Sequence, residues 1–371
     1  MTDRLRVGII GTGKRVDYLY CPLVRMLKGD LELVGVWGRR LEAARAIGEK
    51  HAIPYYDDMA IMVKEARPDL LIVSVTRLAN GPVGRRAAEF GLPLLLETPI
   101  AEELADADAI IATSQAKGFP IEVAEQYYRR PMERIKGELL RAGFFGRVNT
   151  AYNDCMGHAY HGISLIRSYI GFEVPAVRVS AVRPAFAVRS HPSSLSDKPN
   201  ERERWEHGVI EFANGALGIF DWTSIGYGSA IRWQRSTRFF AEAGMAVGDE
   251  LTLLSPDGRH RQPIRLERRI HNVGGMETLA EVVAHTDPQV YWRNPFSAYY
   301  MDDEMIAEAS CLMSLANAIR TGQAPEYGPL NARADQEIYV AMLRSAEEGG
   351  VPVDLPLAPL PRFAAGQPGT V

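Results

Sequence analysis

The sequence predicts a doubly wound α/β domain followed by a second domain rich in β-strands. Short apolar runs alternate with amphipathic segments over the first 125 residues and then give way to longer strand-like runs. The length of 371 residues corresponds to two domains at about 150 residues each. We expect one domain over residues 1–125, a second over 126–350 and a proline-rich tail over 351–371.

The strands predicted in the first domain lack the alternation of a half-exposed strand, and a helical pattern follows most of them. A parallel sheet that is covered on both faces produces this pattern. The predicted strands are Leu5–Ile10, Leu31–Trp37, Leu70–Val75, Leu94–Glu97 and Ile121–Ala124. One predicted helical segment ends at Leu27. Two further predicted helices cover Leu41–Lys50 and Glu102–Lys117.

The turn after the first strand has the pattern of a dinucleotide-binding loop. Gly11 permits a tight turn, and Gly13 lets the backbone approach a pyrophosphate at the following helix N-terminus. Val16 replaces the usual third glycine, and glycine turns also occur for steric reasons alone. The position between a strand and a helix favours the nucleotide interpretation. The turn residues assigned to the cofactor are Gly11, Thr12, Gly13, Lys14 and Arg15.

The end of the second strand indicates which cofactor is bound. An acidic residue there would bind the ribose hydroxyl of NAD, but this chain has Arg39 and Arg40, which suit the 2′-phosphate of NADP. We therefore expect NADP, with NAD possible, although both arginines could simply be solvated. Residues after later strands complete the predicted cofactor site: Thr76, Asn80, Glu97 and Gln126.

Composition excludes several other classes of protein. The hydrophobic fraction of 46% and the charged fraction of 24% are typical of a globular protein. The net charge of -4, without a long basic block, argues against nucleic-acid binding. Three widely spaced cysteines and the lack of a long apolar run predict a soluble, cytoplasmic protein without a membrane partner. Only seven of the 42 basic residues are lysines.

Several motifs occur in the order and spacing found in the glucose-fructose oxidoreductase, inositol dehydrogenase and MocA family (Gfo/Idh/MocA), which the chain therefore resembles. The matching segments are 7–13, 68–69, 87–93, 96–99, 128–131, 143–148 and 315–322. The resemblance implies a Rossmann domain followed by an α+β domain with a large, mostly antiparallel, open-faced sheet.

The sequence supports a second domain of this kind. Its predicted strands are His207–Ala213, Ala216–Ser224, Ser236–Ala243 and Pro263–Arg269, and Asn214-Gly215 is a hairpin signal. The alternating Ile210, Phe212, Leu217 and Ile219 would serve a helix-covered core or a subunit interface. Because the family commonly dimerises through the open sheet face, we expect a homodimer or homotetramer.

The resemblance also implies catalytic positions, with one departure. Family dehydrogenases carry Glu-Lys-Pro after the fifth strand, with the lysine beside the nicotinamide, whereas this chain has Glu97-Thr98-Pro99. Thr98 can form hydrogen bonds but cannot supply an ammonium group. His161 falls at the catalytic-histidine position, where it would transfer a proton as general acid and base.

Other polar residues near His161 are further candidates. His158 would share a helical face with His161, while Tyr160 and Asp154 could bind or polarise the substrate. These residues could instead serve in packing or structural hydrogen bonds. Three ligands at Cys155, His158 and His161 would diverge around one helix, so no metal is predicted. The aromatic residues that could line a pocket or pack in a core are Trp205, Trp222, Tyr227 and Trp233, and Tyr127 is a further candidate after the sixth strand.

The sequence thus predicts an oxidoreductase that transfers a hydride between NADP or NAD and a hydroxyl or carbonyl of a sugar, cyclitol or similar polar small molecule. Thr98 keeps two alternatives open. One is a non-redox or transiently redox enzyme that catalyses elimination, epimerisation or hydrolysis. The other is a non-catalytic ligand-binding descendant.

Overall fold

A computed structural model describes residues 4–357 and divides them into two compact units. The first unit contains the described residues up to Gln126 together with Asp303–Gln336. The second contains Tyr127–Asp302 and the described residues from Glu337 onwards. The C-terminal segment 303–336 therefore groups with the N-terminal unit, which the sequence did not indicate. Residues 358–371 of the predicted tail lie outside the described residues.

The described part of the first unit contains a six-stranded parallel sheet in the order β3-β2-β1-β4-β5-β6. This confirms the doubly wound Rossmann fold. The strands are β1 (Leu5–Ile10), β2 (Leu31–Trp37), β3 (Tyr55–Tyr56), β4 (Leu70–Val73), β5 (Leu94–Leu96) and β6 (Ile121–Val123). The strand order reverses between β1 and β4, where sheets of this kind bind ligands at the carboxyl ends of their strands.

The described part of the second unit contains a ten-stranded, mostly antiparallel sheet in the order β15-β14-β13-β12-β7-β11-β10-β8-β19, with β9 paired to β10. Its strands are β7 (Val148–Asp154), β8 (Ala176–Val182), β9 (Ala185–His191), β10 (Asn200–Phe212), β11 (Leu217–Thr223), β12 (Ser236–Ala241), β13 (Gly244–Val247), β14 (Glu250–Leu254), β15 (Arg261–Ile264) and β19 (Val353–Asp354). A smaller sheet joins β16 (Leu266–Val273), β17 (Met276–Ala284) and β18 (Val290–Arg293).

The observed strands of this unit agree with one predicted feature, a hairpin, and disagree with another, a strand. The predicted hairpin at Asn214-Gly215 is confirmed, because it joins the antiparallel strands β10 and β11. The single strand predicted over Pro263–Arg269 is wrong. Ile264 pairs with Leu251 in the large sheet, whereas Leu266 pairs with Ala284 in the small one, so the chain changes sheets at the intervening residue.

The helices follow in chain order, and some start later than predicted. They are α1 (Cys21–Met26), α2 (Leu41–Lys50), α3 (Met59–Ala66), α4 (Arg77–Ala88), α5 (Leu104–Lys117), α6 (Pro131–Arg141), α7 (Ala159–Ile170), α8 (Asp303–Thr321) and α9 (Gly328–Glu347). A π-helical turn over Val16–Tyr20 precedes α1. Within residues 4–357, none of these helices has both the length and the apolarity that a bilayer crossing requires.

One face of the large sheet is covered and the other is open. Ile210 and Phe212 are buried, and a Cβ at Gly218 would meet Ile166 of α7 at 2.7 Å, so α7 packs on this face. Leu217, 38% exposed, and Ile219 lie on the opposite face. The four alternating apolar residues therefore divide between the core and an exposed surface, as strand geometry requires.

Candidate functional site

The two glycines of the first turn have different surroundings. Gly11 has a φ of +134°, and a Cβ there would lie 1.9 Å from the carbonyl oxygen of Ser74. A Cβ at Gly13 would meet nothing within 4 Å. The first glycine is thus required by the fold, whereas the second leaves an open approach to the backbone at the carboxyl end of β1. An anion such as pyrophosphate fits an opening of this kind.

Two buried amide side chains on the same edge offer unused acceptors. Asn80 in α4 donates its Nδ2 to the carbonyl oxygens of Glu97 and Pro99, both at 2.6 Å. Its Oδ1 and the Oε1 of Gln126 are buried without a hydrogen-bond partner among residues 4–357. Buried acceptors normally find donors. The ribose hydroxyls and the carboxamide of a nicotinamide dinucleotide are suitable donors, so these residues fit such a cofactor.

Other predicted cofactor residues lie exposed along the same edge. Lys14 follows β1, Arg39 and Arg40 follow β2, and Thr76 follows β4. In the described part of the chain, the side chains of Arg39 and Arg40 form no ion pair, so both remain available to a phosphate. Thr12 packs closely against Gly38, since a Cβ added at Gly38 would lie 2.6 Å from Cγ2 of Thr12.

Arg15 and Glu97 contact each other, which the sequence did not indicate. The Nε of Arg15 donates to Glu97, its Nη2 donates to Glu308 of α8, and the hydroxyl of Tyr20 donates to Glu97 at 2.7 Å. We call Arg15, Glu97 and Glu308 the carboxylate cluster. Burial raises the pKa of Glu308 to about 8 and that of Tyr20 well above its usual value. Glu308 was missed because it lies 293 residues from Arg15, and no local pattern marks it.

Thr98 is half-buried directly after this cluster. Its backbone N–H donates to Oε2 of Glu97 at 3.3 Å. A threonine hydroxyl at this position can donate or accept a hydrogen bond but carries no charge. Arg15 is therefore the cation that the structure places against Glu97.

His158 and His161, the two histidines predicted for the site, are in contact, although not on one helical face as predicted. His161 is the third residue of α7 and is 5% exposed. His158 is the N-cap residue, with φ -82° and ψ 155°, so it precedes the helix. The prediction was wrong because the helix starts only after His158. The turn nevertheless brings the two ring centroids to 4.9 Å.

Aromatic side chains surround these histidines. The rings of Tyr127 and Tyr160 lie 4.5 and 4.6 Å from that of His161, measured between centroids. The hydroxyls of Tyr127 and Tyr227 lie 2.7 Å apart, and Trp222 contacts the ring of Tyr227 at 4.8 Å. The structure thus brings Tyr127, Trp222 and Tyr227 to these histidines, whereas Trp205 stacks on His207 at 5.2 Å and Trp233 is 74% exposed. Such faces suit the apolar side of a sugar ring, although they also serve packing.

Asn153 supports the segment before α7 and was missed by the sequence analysis. Its Oδ1 accepts the N–H of Gly157 at 2.9 Å, and its Nδ2 donates to the carbonyl oxygens of Gly157 and Asp221 at 2.9 Å each. The segment is strained, since Cys155 and Ala159 have φ values of +54° and +44°. Strain of this kind persists only where the surroundings impose it, and it is common at functional sites.

Asp154 does not join the histidines. It follows Asn153 in β7, so strand alternation directs its side chain to the open face of the sheet, where it lies 3.8 Å from Arg238. Cys155 is buried, which raises its pKa to about 11. No group of three His, Cys, Asp or Glu side chains within residues 4–357 has the arrangement of a metal site.

Comparison with known proteins identifies a matching family model and several partial relatives. Residues 5–125 match the model of an oxidoreductase family with an NAD-binding Rossmann fold. D-apiose dehydrogenase from Paraburkholderia graminis is 29% identical over 137 residues, which cover 35% of this chain and 36% of that protein. The matched segments span between 36% and 53% of the lengths of the curated relatives.

Solved structures resemble nearly the whole chain in fold. A levoglucosan dehydrogenase in complex with NADH and levoglucosan has a TM-score of 0.72 at 16% identity and covers 95% of this chain and 100% of its own. An NAD-binding oxidoreductase from Klebsiella pneumoniae has a TM-score of 0.72 at 13% identity, with coverage of 96% and 100%. At this level of identity, the similarity establishes the fold of the chain and not its substrate.

Proposed function

We propose that the protein is a nicotinamide-dependent oxidoreductase, because residues 5–125 match the model of an oxidoreductase family with an NAD-binding Rossmann fold. Its substrate is a hydroxyl or carbonyl of a sugar, cyclitol or similar polar small molecule. The observation that carries the proposal is the open backbone at Gly13, on the same edge of the sheet as the buried side-chain oxygens of Asn80 and Gln126, which accept no hydrogen bond within residues 4–357. The names of the relatives, among them D-apiose dehydrogenase and levoglucosan dehydrogenase, support the substrate class.

The residues of the first unit bind and orient the cofactor. The backbone at Gly11 and Gly13 receives the pyrophosphate, and Arg39 and Arg40 bind the 2′-phosphate of NADP, with NAD as the alternative cofactor. Asn80 and Gln126 accept hydrogen bonds from ribose or carboxamide donors. When bound, the cofactor supplies the nicotinamide ring that accepts a hydride from a carbinol carbon or returns one to a carbonyl carbon.

Residues of the second unit carry the proton and bind the substrate. His161 takes the proton from the substrate hydroxyl oxygen during oxidation and returns it during reduction. Tyr127 and Tyr160 hold the imidazole in place through their ring contacts. His158 is the second candidate for the proton transfer, and Thr98 and Tyr160 are hydrogen-bonding residues for the substrate.

The first experiment measures binding and turnover together. NADP+, NADPH, NAD+ and NADH are titrated calorimetrically, and oxidation of aldoses, anhydrosugars and cyclitols is followed by the absorbance of reduced nicotinamide. His161→Ala is expected to lower kcat by about 10²- to 10⁴-fold without changing the cofactor Kd. His260→Ala, at an exposed residue, serves as the control. Failure to bind any nicotinamide, or full activity of His161→Ala, contradicts the proposal.

The same experiment distinguishes net oxidation from the two alternatives, a transiently redox or non-redox enzyme and a non-catalytic ligand-binding protein. Thr98 leaves the site without the lysine expected from the family resemblance. If the cofactor binds but no substrate changes its absorbance, a transiently redox or non-redox reaction replaces net oxidation. If substrate analogues then bind without any product, the protein is a ligand-binding descendant.

The open face of the large sheet is the proposed contact between two copies of the chain. Its exposed apolar side chains include Val209 on β10, Leu217 on β11 and Phe240 on β12, with β7 between the last two strands. Exposed apolar residues that cluster on one face commonly mark an interface. We therefore retain a homodimer or a homotetramer as the assembly.

A further inference from the structure

The carboxylate cluster contains one guanidinium and two carboxyl groups. Arg15 contacts both acids, and Tyr20 is the one further side-chain donor to Glu97 in the described part of the chain. Oε2 of Glu308 is buried, and within residues 4–357 it has no hydrogen-bond partner. The cluster is therefore neutral when one carboxyl holds a proton and carries one negative charge when both are ionised.

The carboxylate cluster lies at the carboxyl ends of the parallel strands, between the turn after β1 and the end of β5. Arg15 follows Gly13 by two residues, and Glu97 directly follows β5. In a doubly wound sheet, the ribose of the adenosine lies at the end of the second strand and the pyrophosphate at the first turn. The nicotinamide half of a bound dinucleotide consequently extends towards β4 and β5, on the side of the carboxylate cluster.

We propose that the Arg15, Glu97 and Glu308 cluster determines the relative affinity for oxidised and reduced cofactor, with a proton released from Glu308 when the oxidised form binds. This inference rests on the proposed nicotinamide binding. The oxidised ring carries a positive charge and the reduced ring carries none. A negative cluster therefore favours the oxidised form, whereas a neutral cluster does not distinguish the two forms by charge.

Within the first unit, the groups that face Glu308 agree with this proton release. Arg15 from the first turn lowers the pKa of Glu308, while Glu97 after β5 and Glu304 on α8 raise it. Burial is the largest influence and raises the pKa of Glu308 to about 8. Tyr20 stays neutral, because burial raises its pKa well above the usual value. With a pKa of about 8, Glu308 consequently changes charge between pH 6.5 and pH 9.

The test compares the Kd values of NAD+ and NADH at pH 6.5 and pH 9 for the full-length protein. The ratio of the Kd for NAD+ to the Kd for NADH is expected to fall about tenfold as the pH rises and the cluster becomes negative. Groups that the two forms share, such as the phosphates, cancel in this ratio. Glu308→Gln is expected to make the ratio independent of pH, because an amide does not ionise.

Glu103→Gln removes an exposed carboxyl from the same unit and is the matched control, with the pH dependence of the wild type expected. Calorimetry of the wild type in two buffers of different ionisation enthalpy provides a readout that needs no variant. At pH 8, NAD+ binding is expected to release more protons than NADH binding. Equal proton release and a ratio that does not change with pH would overturn the inference, whereas loss of all nicotinamide binding would overturn the proposed function instead.

Discussion

A methyl group added at Gly11 or Gly13 would meet opposite surroundings, although the residues are only two positions apart. At Gly11 it would overlap the carbonyl of Ser74, and the backbone conformation already favours glycine. At Gly13 it would enter open space. The residue identity is the same, but the fold requires the first glycine, whereas the second leaves open space at the proposed pyrophosphate site.

This contrast predicts separate effects on stability and binding. Gly11→Ala is expected to lower the free energy of unfolding by more than about 2 kcal/mol. Gly13→Ala is expected to change it by less than about 0.5 kcal/mol, yet to weaken NADP+ binding about tenfold because the methyl occupies the approach of the pyrophosphate. Thermal unfolding and calorimetric titration measure the two effects. Unchanged cofactor affinity in Gly13→Ala would contradict the assignment of the turn.

The proposed preference for NADP over NAD depends on single residues. Arg39→Ala would remove the charged hydrogen bond proposed for the 2′-phosphate, so it is expected to raise the Kd for NADP+ about 10- to 100-fold, with little change for NAD+. Arg86→Ala, an exposed arginine of α4, is the control. A preference for NAD+ that Arg39→Ala leaves unchanged would remove the phosphate assignment and retain only the dinucleotide site.

At the scale of elements, the strand β7 and the helix α7 flank the turn that contains Gly157 and His158. Asn153 is in β7, and a Cβ at Gly162 of α7 would meet its side chain at 2.6 Å. The same amide satisfies both backbone groups of Gly157. The position of His158 and the start of α7 therefore depend on one buried side chain of the neighbouring strand.

Asn153→Ala is expected to cost about 2 to 3 kcal/mol of unfolding free energy, because it leaves buried backbone groups of Gly157 without partners. It is also expected to lower kcat without changing the cofactor Kd, since the first unit is untouched. Asn149→Ala in the same strand, at an exposed position, should change stability by less than about 0.5 kcal/mol. Wild-type kcat in Asn153→Ala would show that the turn does not position the histidines.

At the scale of the whole molecule, the open sheet face predicts the assembly. Val209→Glu places a charge among exposed apolar residues without disturbing the covered face, so it is expected to convert a dimer to monomers. Light scattering after gel filtration measures the mass. Ile61→Glu, at an exposed residue of α3, is expected to leave the assembly intact. A dimer that persists in Val209→Glu would place the interface elsewhere.

The sequence predicted those parts of the architecture that patterns of neighbouring residues encode, and it missed parts that such patterns do not record. The strand runs of the first unit and the Asn214-Gly215 hairpin were correct because periodicity and turn chemistry are local. The break at Arg265 was missed, since both sides of it look strand-like. The assignment of Asp154 to the histidine site failed because sequence proximity does not specify the face of a strand.

The sequence by itself determined the parallel sheet, the glycine turn and the closely spaced histidines, because each is encoded within a few neighbouring residues. Only the tertiary structure decided that Arg15 contacts Glu97 and Glu308, and that Asn153 supports the turn before α7. Glu308 reaches Arg15 from a helix 293 residues further along the chain. The charge of the proposed cofactor site therefore depends on folding, which brings together groups whose interaction no local pattern records.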